Sequence, residues 1–125
     1  MDSGCVNIKK MKVCVTRNIP GPAIDLLKEK GYEVAVSLRD HPLNPQELLE
    51  FVAEADAIIC LLTDPISAHV MNAAGDSLKI IANYAVGFDN VDLVEAKSRG
   101  IEVTNTPSPL ICQAVAEHAV ALIFA

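Results

Sequence analysis

The chain has 125 residues, 51% of them hydrophobic and 4% aromatic, with no Trp, so a single domain of ordinary size must build its core from Ile, Leu, Val and Ala. Ten Lys plus Arg against sixteen Asp plus Glu leave a formal charge of −6 and no basic run. That balance argues against a nucleic-acid surface or an anionic-membrane surface, both of which depend on clustered cations.

Residues 1–10, MDSGCVNIKK, read as a flexible leader without the apolar core of a signal peptide, and no run reaches the ~18 apolar residues of a membrane span. The four cysteines, Cys5, Cys14, Cys60 and Cys112, form no C-x-x-C and no paired framework. Cys14 and Cys60 lie inside apolar runs, where a thiol behaves as a small hydrophobe, and a reduced, cytoplasmic setting is expected.

Taken in order, the chain alternates. Met11–Thr16 is predicted as a strand, broken by the Pro- and Gly-containing residues 17–22. A helix over Ala23–Lys30 places Ile24 and Leu27 on one face, with Pro22 near its start and Gly31 at its C-terminal cap. Tyr32–Val36 is a second strand. Asn44, Pro45 and Glu47 form a capping-box signature for a helix that carries Leu48, Leu49 and Val52 inward. Ala57–Leu61, nearly all apolar, is predicted as a central strand.

Ser67 is expected to cap a short helix through Val70, Met71 and Ala74, ended by Gly75. Ile80–Ala82 is a fourth strand, Asn90–Arg99 a helix bearing Val91, Leu93 and Val94, and Ile101–Thr104 a fifth strand. A last helix runs from about Cys112 to Ala125. This alternation implies an α/β fold: five strands in a parallel sheet with helices on both faces.

Lys79–Asp92, KIIANYAVGFDNVD, is the stretch with the most functional content. An apolar strand breaks into Ala85, Val86 and Gly87, which offer a ligand chiefly their backbone N–H groups. A positive φ at Gly87 would let those groups converge on an anion. The plainer reading is a strand-to-helix turn with Gly87 present for geometry alone. In open parallel sheets, ligands bind outside the carboxyl ends of the strands. Those ends here are 16–18, 61–64, 83–87 and 105–107, rich in Asn and Thr, whereas the opposite loops look like plain solvated turns.

Other residues invite chemistry and have duller explanations. Glu117 and His118 are helix neighbours pointing about 100° apart. His41 and His69 have no second ligand at metal spacing and read as surface residues. Arg17 either reaches a carboxylate across the sheet edge or makes a surface ion pair. Asp64 sits where a phospho-accepting receiver domain keeps its aspartate, but the acidic pair such a domain needs after its first strand is replaced by Thr16-Arg17-Asn18.

The apolar run after His118 ends without a capping signal. It predicts either truncation or a helix that docks on something outside these residues.

Five stretches in order, CVTRNIP, ADAIICLLTDPIS, LKIIANYAVGFDNVD, AKSRGIEVTNTP and VAEHAVAL, resemble the N-terminal part of the D-isomer-specific 2-hydroxyacid dehydrogenases, nearest to the glyoxylate and hydroxypyruvate reductase branch. The resemblance implies a flavodoxin-like substrate-binding domain over 11–108. Residues 109–125 would then begin the helix that crosses into an NAD(P)-binding domain absent from these residues. It implies a small 2-keto acid held by the Val86 and Gly87 amides with Ala85 beside them, and a pocket loop at Leu61 and Leu62. It also brings Val115 near the nicotinamide, and implies a homodimer when the protein is full-length.

The family's catalytic Arg, Glu and His and its G-x-G-x-x-G loop would lie in that further domain, so these residues alone are expected to be inactive. The alternative is a stand-alone binding or regulatory module derived from such an enzyme.

Overall fold

A computed structural model describes residues 10–125. The leader reading and Cys5 fall outside the described residues, apart from Lys10. The order is β1 (Lys12–Val15), α1 (Ala23–Glu29), β2 (Glu33–Val36), α2 (Pro45–Phe51), β3 (Ala57–Leu61), α3 (Ala68–Ala74), β4 (Ile80–Tyr84), α4 (Leu93–Ser98), β5 (Glu102–Thr104) and α5 (Pro109–Ile123). The strands form one sheet in the order β2-β1-β3-β4-β5, every pair parallel, with β3 in the middle. This is the flavodoxin-like arrangement that the resemblance implied.

Two cores follow from the two-residue period of a strand. On β3, Ile58 and Cys60 turn to one face, where they join Leu48 of α2 and Val52 at its C-terminal cap, Val70 and Met71 of α3, and Ala96 of α4. Ala57, Ile59 and Leu61 turn to the other, against Ile24 and Leu27 of α1. Three helices cover the first face and one the second, and the β3 side chains under α1 are accordingly only half-buried. The layers are thus α/β/α with unequal cover.

The local signals act largely as the sequence dictates. The capping box forms in full: Asn44 Oδ1 accepts from Glu47 N at 2.9 Å and Glu47 Oε2 accepts from Asn44 N at 3.0 Å, with Pro45 in the first turn. Asn44→Ala is expected to cost about 1 kcal/mol, read from the midpoint of urea unfolding followed by circular dichroism. Gly31 ends α1 with φ 87°, a conformation in which a side chain would be strained.

Several local expectations are corrected. Ser67 precedes α3 but makes no side-chain cap, because a backbone bridge between Ile66 and Val91 already holds the entry. The same bridge takes Asn90 and Val91 out of α4, which starts at Leu93 with Asp92 accepting from Glu95 N at 3.0 Å. Ala96, not Val94, is its buried residue; Val94 is exposed.

Strand β4 runs two residues beyond Ala82, pairing Asn83 with Cys60 and Tyr84 with Leu61. Helix α5 begins at Pro109, where the ring's fixed φ suits a first helical position. None of its residues is buried. No helix among the described residues is long and apolar enough to cross a membrane.

Candidate functional site at the carboxyl edge of the sheet

The β4 strand ends in a loop that is held from behind. Asn83 is 1% exposed, an unusual place for an amide, and is tolerated because its hydrogen-bonding groups are satisfied. Its Nδ2 donates to Gly87 O at 2.9 Å and to Asn90 Oδ1 at 3.0 Å, while its Oδ1 lies 3.4 Å from the Cys60 thiol. Asn90 Nδ2 lies within 3.1 Å of Leu61 O and 3.0 Å of Asp64 O, tying the loop after β4 to the turn after β3. From beyond β5, Asn105 Nδ2 donates to Val86 O at 2.7 Å and Thr106 N to Ala85 O at 2.9 Å.

The carbonyls of Ala85, Val86 and Gly87 are therefore all taken from the protein side. In a planar trans peptide the C=O and the following N–H point in opposite directions. Every described peptide bond is trans. Pinning those carbonyls turns the N–H groups of Val86, Gly87 and Phe88 the other way, and none of the three has an acceptor among the described residues. Free amides in sequence make an anion-binding concavity.

Gly87 does not adopt the positive φ expected of it. The turn is set by donors from Asn83, Asn105 and Thr106, so no left-handed residue is needed. A Cβ built on Gly87 would meet only Asp89 Oδ2, at 3.9 Å. What glycine contributes is an amide without a side chain to cover it.

A hollow of about 590 Å³ opens over this loop. Ala85, Val86 and Gly87 lie along it, with Leu62, Tyr84 and Ile111 as apolar walls and Asp89, Asn90, Thr106, Pro107 and Ser108 completing it. Of the residues singled out from sequence, Leu62, Ala85, Val86 and Gly87 are brought together here. Leu61 is not in the lining. Its side chain packs under α1, and its backbone accepts from Asn90 and donates to Asp64. Val115 is also outside, 65% exposed on α5; Ile111, one helical turn earlier, is the residue of that helix that reaches the hollow.

Tyr84, Asp89, Asn90, Ser108 and Ile111 were missed as lining residues. Asn83 and Asn90 carried a usable signal, since Asn flanking a glycine loop commonly bonds backbone; Asn105, on the far side of α4 and β5, carried none.

Arg17 does not face the hollow. Its Nη2 donates to Thr63 Oγ1 at 3.1 Å and lies 3.9 Å from Asp64 Oδ1. Asp64 is 2% exposed and accepts from Thr16 Oγ1 at 2.6 Å and from Leu61 N at 2.9 Å, the geometry of a structural carboxylate. His41, His69, Glu117 and His118 do not approach it, and among the described residues no three His, Cys, Asp or Glu side chains are grouped to hold a metal. Cys14 and Cys60 are buried and unpaired as expected, and burial pushes both thiols up from their ordinary pKa.

The fold and the hollow define a class: an open parallel α/β domain with a candidate ligand hollow at the carboxyl edge of its sheet. Residues 13–121 match the family described as D-isomer specific 2-hydroxyacid dehydrogenase, catalytic domain, and the chain belongs to that family. It is 49% identical over 114 residues to glyoxylate reductase from Thermofilum pendens, covering 91% of this chain and 33% of that protein.

Among solved structures, the TT0316 protein from Thermus thermophilus superposes with a TM-score of 0.81 at 46% identity, covering 92% of this chain and 36% of that one. An NAD-dependent formate dehydrogenase from Staphylococcus aureus in complex with NAD superposes with a TM-score of 0.69 at 27% identity, covering 90% and 37%. The chain thus spans about a third of the length of the curated relatives it matches.

Proposed function

We propose that the chain is the substrate-binding part of an NAD(P)-dependent oxidoreductase that reduces a small 2-keto acid of the glyoxylate type to a D-2-hydroxy acid. The observation that carries this reading is the set of outward amides at Val86 and Gly87, turned by their pinned carbonyls toward an apolar hollow. Charge-assisted hydrogen bonds from backbone N–H groups suit a carboxylate, and the walls at Leu62, Tyr84 and Ile111 suit a short carbon chain. The similarity to proteins named glyoxylate reductase supports the same substrate class.

NAD or NADP is the cofactor this reading requires, and the residues present do not fit it. The glycines at 4, 21, 31, 75, 87 and 100 never approach the G-x-G-x-x-G spacing that cradles a pyrophosphate. The hollow also holds no Lys, Arg or His to polarise a carbonyl or give a proton. These 125 residues therefore bind and orient the acid, and should show no glyoxylate-dependent oxidation of NADH or NADPH.

The binding step is tested by titrating the isotope-labelled chain with glyoxylate and following amide resonances. Downfield movement of the Val86 and Gly87 amide protons is expected. Saturable shifts elsewhere with neither of these moving would overturn the assignment.

A further inference from the structure

We propose that Asn105 is a positioning residue, whose side-chain amide aims the Gly87 N–H at the bound carboxylate; this rests on the reading of Val86 and Gly87 as carboxylate ligands. The peptide unit between Val86 and Gly87 has its oxygen on one side and the Gly87 N–H on the other. Asn105 Nδ2 holds that oxygen at 2.7 Å, and among the described residues it is the group bonded there. Without that hold the peptide plane is free to rotate, and the Gly87 N–H swings off the position where it meets an anion.

The neighbouring amides are set differently. Val86 N–H is turned outward because a backbone donor, Thr106 N, holds Ala85 O at 2.9 Å. Phe88 N–H is turned outward because Asn83 holds Gly87 O at 2.9 Å, but Asn83 is also buried within the sheet and bonded to Asn90 and Cys60. Asn105 differs from both. It is half-buried, lies just past the end of β5, and makes its one side-chain hydrogen bond among the described residues to the Val86 carbonyl. Its removal separates the aim of one amide from the stability of the sheet.

The experiment uses the whole 125-residue chain with glyoxylate as the probe. Asn105→Ala is expected to weaken glyoxylate binding about tenfold, the order of one positioned hydrogen bond to a charged group. The glyoxylate-dependent shift of the Gly87 amide should disappear in that variant while the Val86 shift survives, since Thr106 N still sets Val86. Asn105→Gln, which keeps a donor, should recover part of the Gly87 shift. A general loss of packing would move both amides and would not be relieved by Gln.

Binding and Gly87 shifts in Asn105→Ala equal to those of the unaltered chain would overturn the proposal and leave the carboxylate assignment standing. Failure of Asn105→Ala to fold would also overturn it, by giving the residue a structural role. Absence of any Val86 or Gly87 shift in the unaltered chain would instead overturn the carboxylate assignment, and this proposal with it.

Discussion

Asp64→Ala should lower the stability of the domain by about 3 kcal/mol, read as a fall in the urea midpoint with an unchanged slope. The carboxylate is 2% exposed and serves three groups at once: the Thr16 hydroxyl at 2.6 Å, the Leu61 N–H at 2.9 Å and, at 3.9 Å, the Arg17 guanidinium. Truncation strands Leu61 N–H in the turn after β3 and leaves Arg17 without its ion-pair partner. Thr16 loses least, because its hydroxyl is also within 3.3 Å of Ile59 O.

The loss is cooperative with the site. The Asp64 backbone carbonyl accepts from Asn90, and Asn90 also contacts Leu61 O and Asn83 Oδ1, so a disturbed turn after β3 is transmitted to the loop that presents Val86 and Gly87. Asp64→Asn keeps an acceptor for Leu61 N and should cost about 1 kcal/mol. Equal stability of Asp64→Ala and the unaltered chain would show that water or rearrangement satisfies these groups.

Raising the pH above 9 should destabilise the fold through Cys60. Burial, and after it the negative charge of Asp64, push this thiol from its ordinary 9.0 up to about 12. Cys60 is fully buried at the centre of the sheet, on β3. A folded-state pKa above the unfolded one means that the unfolded chain releases its proton first as pH rises. The contribution to stability is thus fully present below 9, falls by about 1.4 kcal/mol per pH unit above it, and totals about 4 kcal/mol lost by pH 12.

Cys14 is shifted in the same direction, and other groups titrate in this range, so the measurement is a comparison. Cys60→Ala leaves a small cavity and is less stable at neutral pH by a constant amount. The gap between it and the unaltered chain should narrow steadily from about pH 9 to about pH 10.5, by about 2 kcal/mol. A gap that stays constant over that range would mean that the thiolate is accommodated in the folded protein.

Much of the architecture was legible in local signals. Asn44, Pro45 and Glu47 announce α2 because every atom of a capping box lies within four consecutive residues. The unbroken run Ala57–Leu61 announced a central strand because only a strand covered on both faces can be apolar at every position. Asn83 shows where such reading stops. An Asn after Ile80, Ile81 and Ala82 looks like the start of a turn, and only the partners Cys60, Gly87 and Asn90 make it a strand residue. Leu61 was drawn to the pocket loop by resemblance, whereas strand alternation sends its side chain under α1; Val115, which the resemblance set near a nicotinamide and not in the hollow, stands exposed on α5.

The residues alone determined that strands and helices alternate, that the sheet is parallel, and that the loop at Ala85–Gly87 lies at its carboxyl edge. Those follow from periodicity, caps and chain connectivity, which are properties of neighbours in sequence. Which atoms of that loop are left without a partner among the described residues was decided only by the tertiary structure. The orientation of each peptide plane depends on what holds its oxygen, and the donors for Ala85 and Val86 come from Thr106 and Asn105, a full strand–helix unit away. A composition that left Gly87 as a turn glycine became, once β4 and β5 lay side by side, a row of amides with their carbonyls tied behind them.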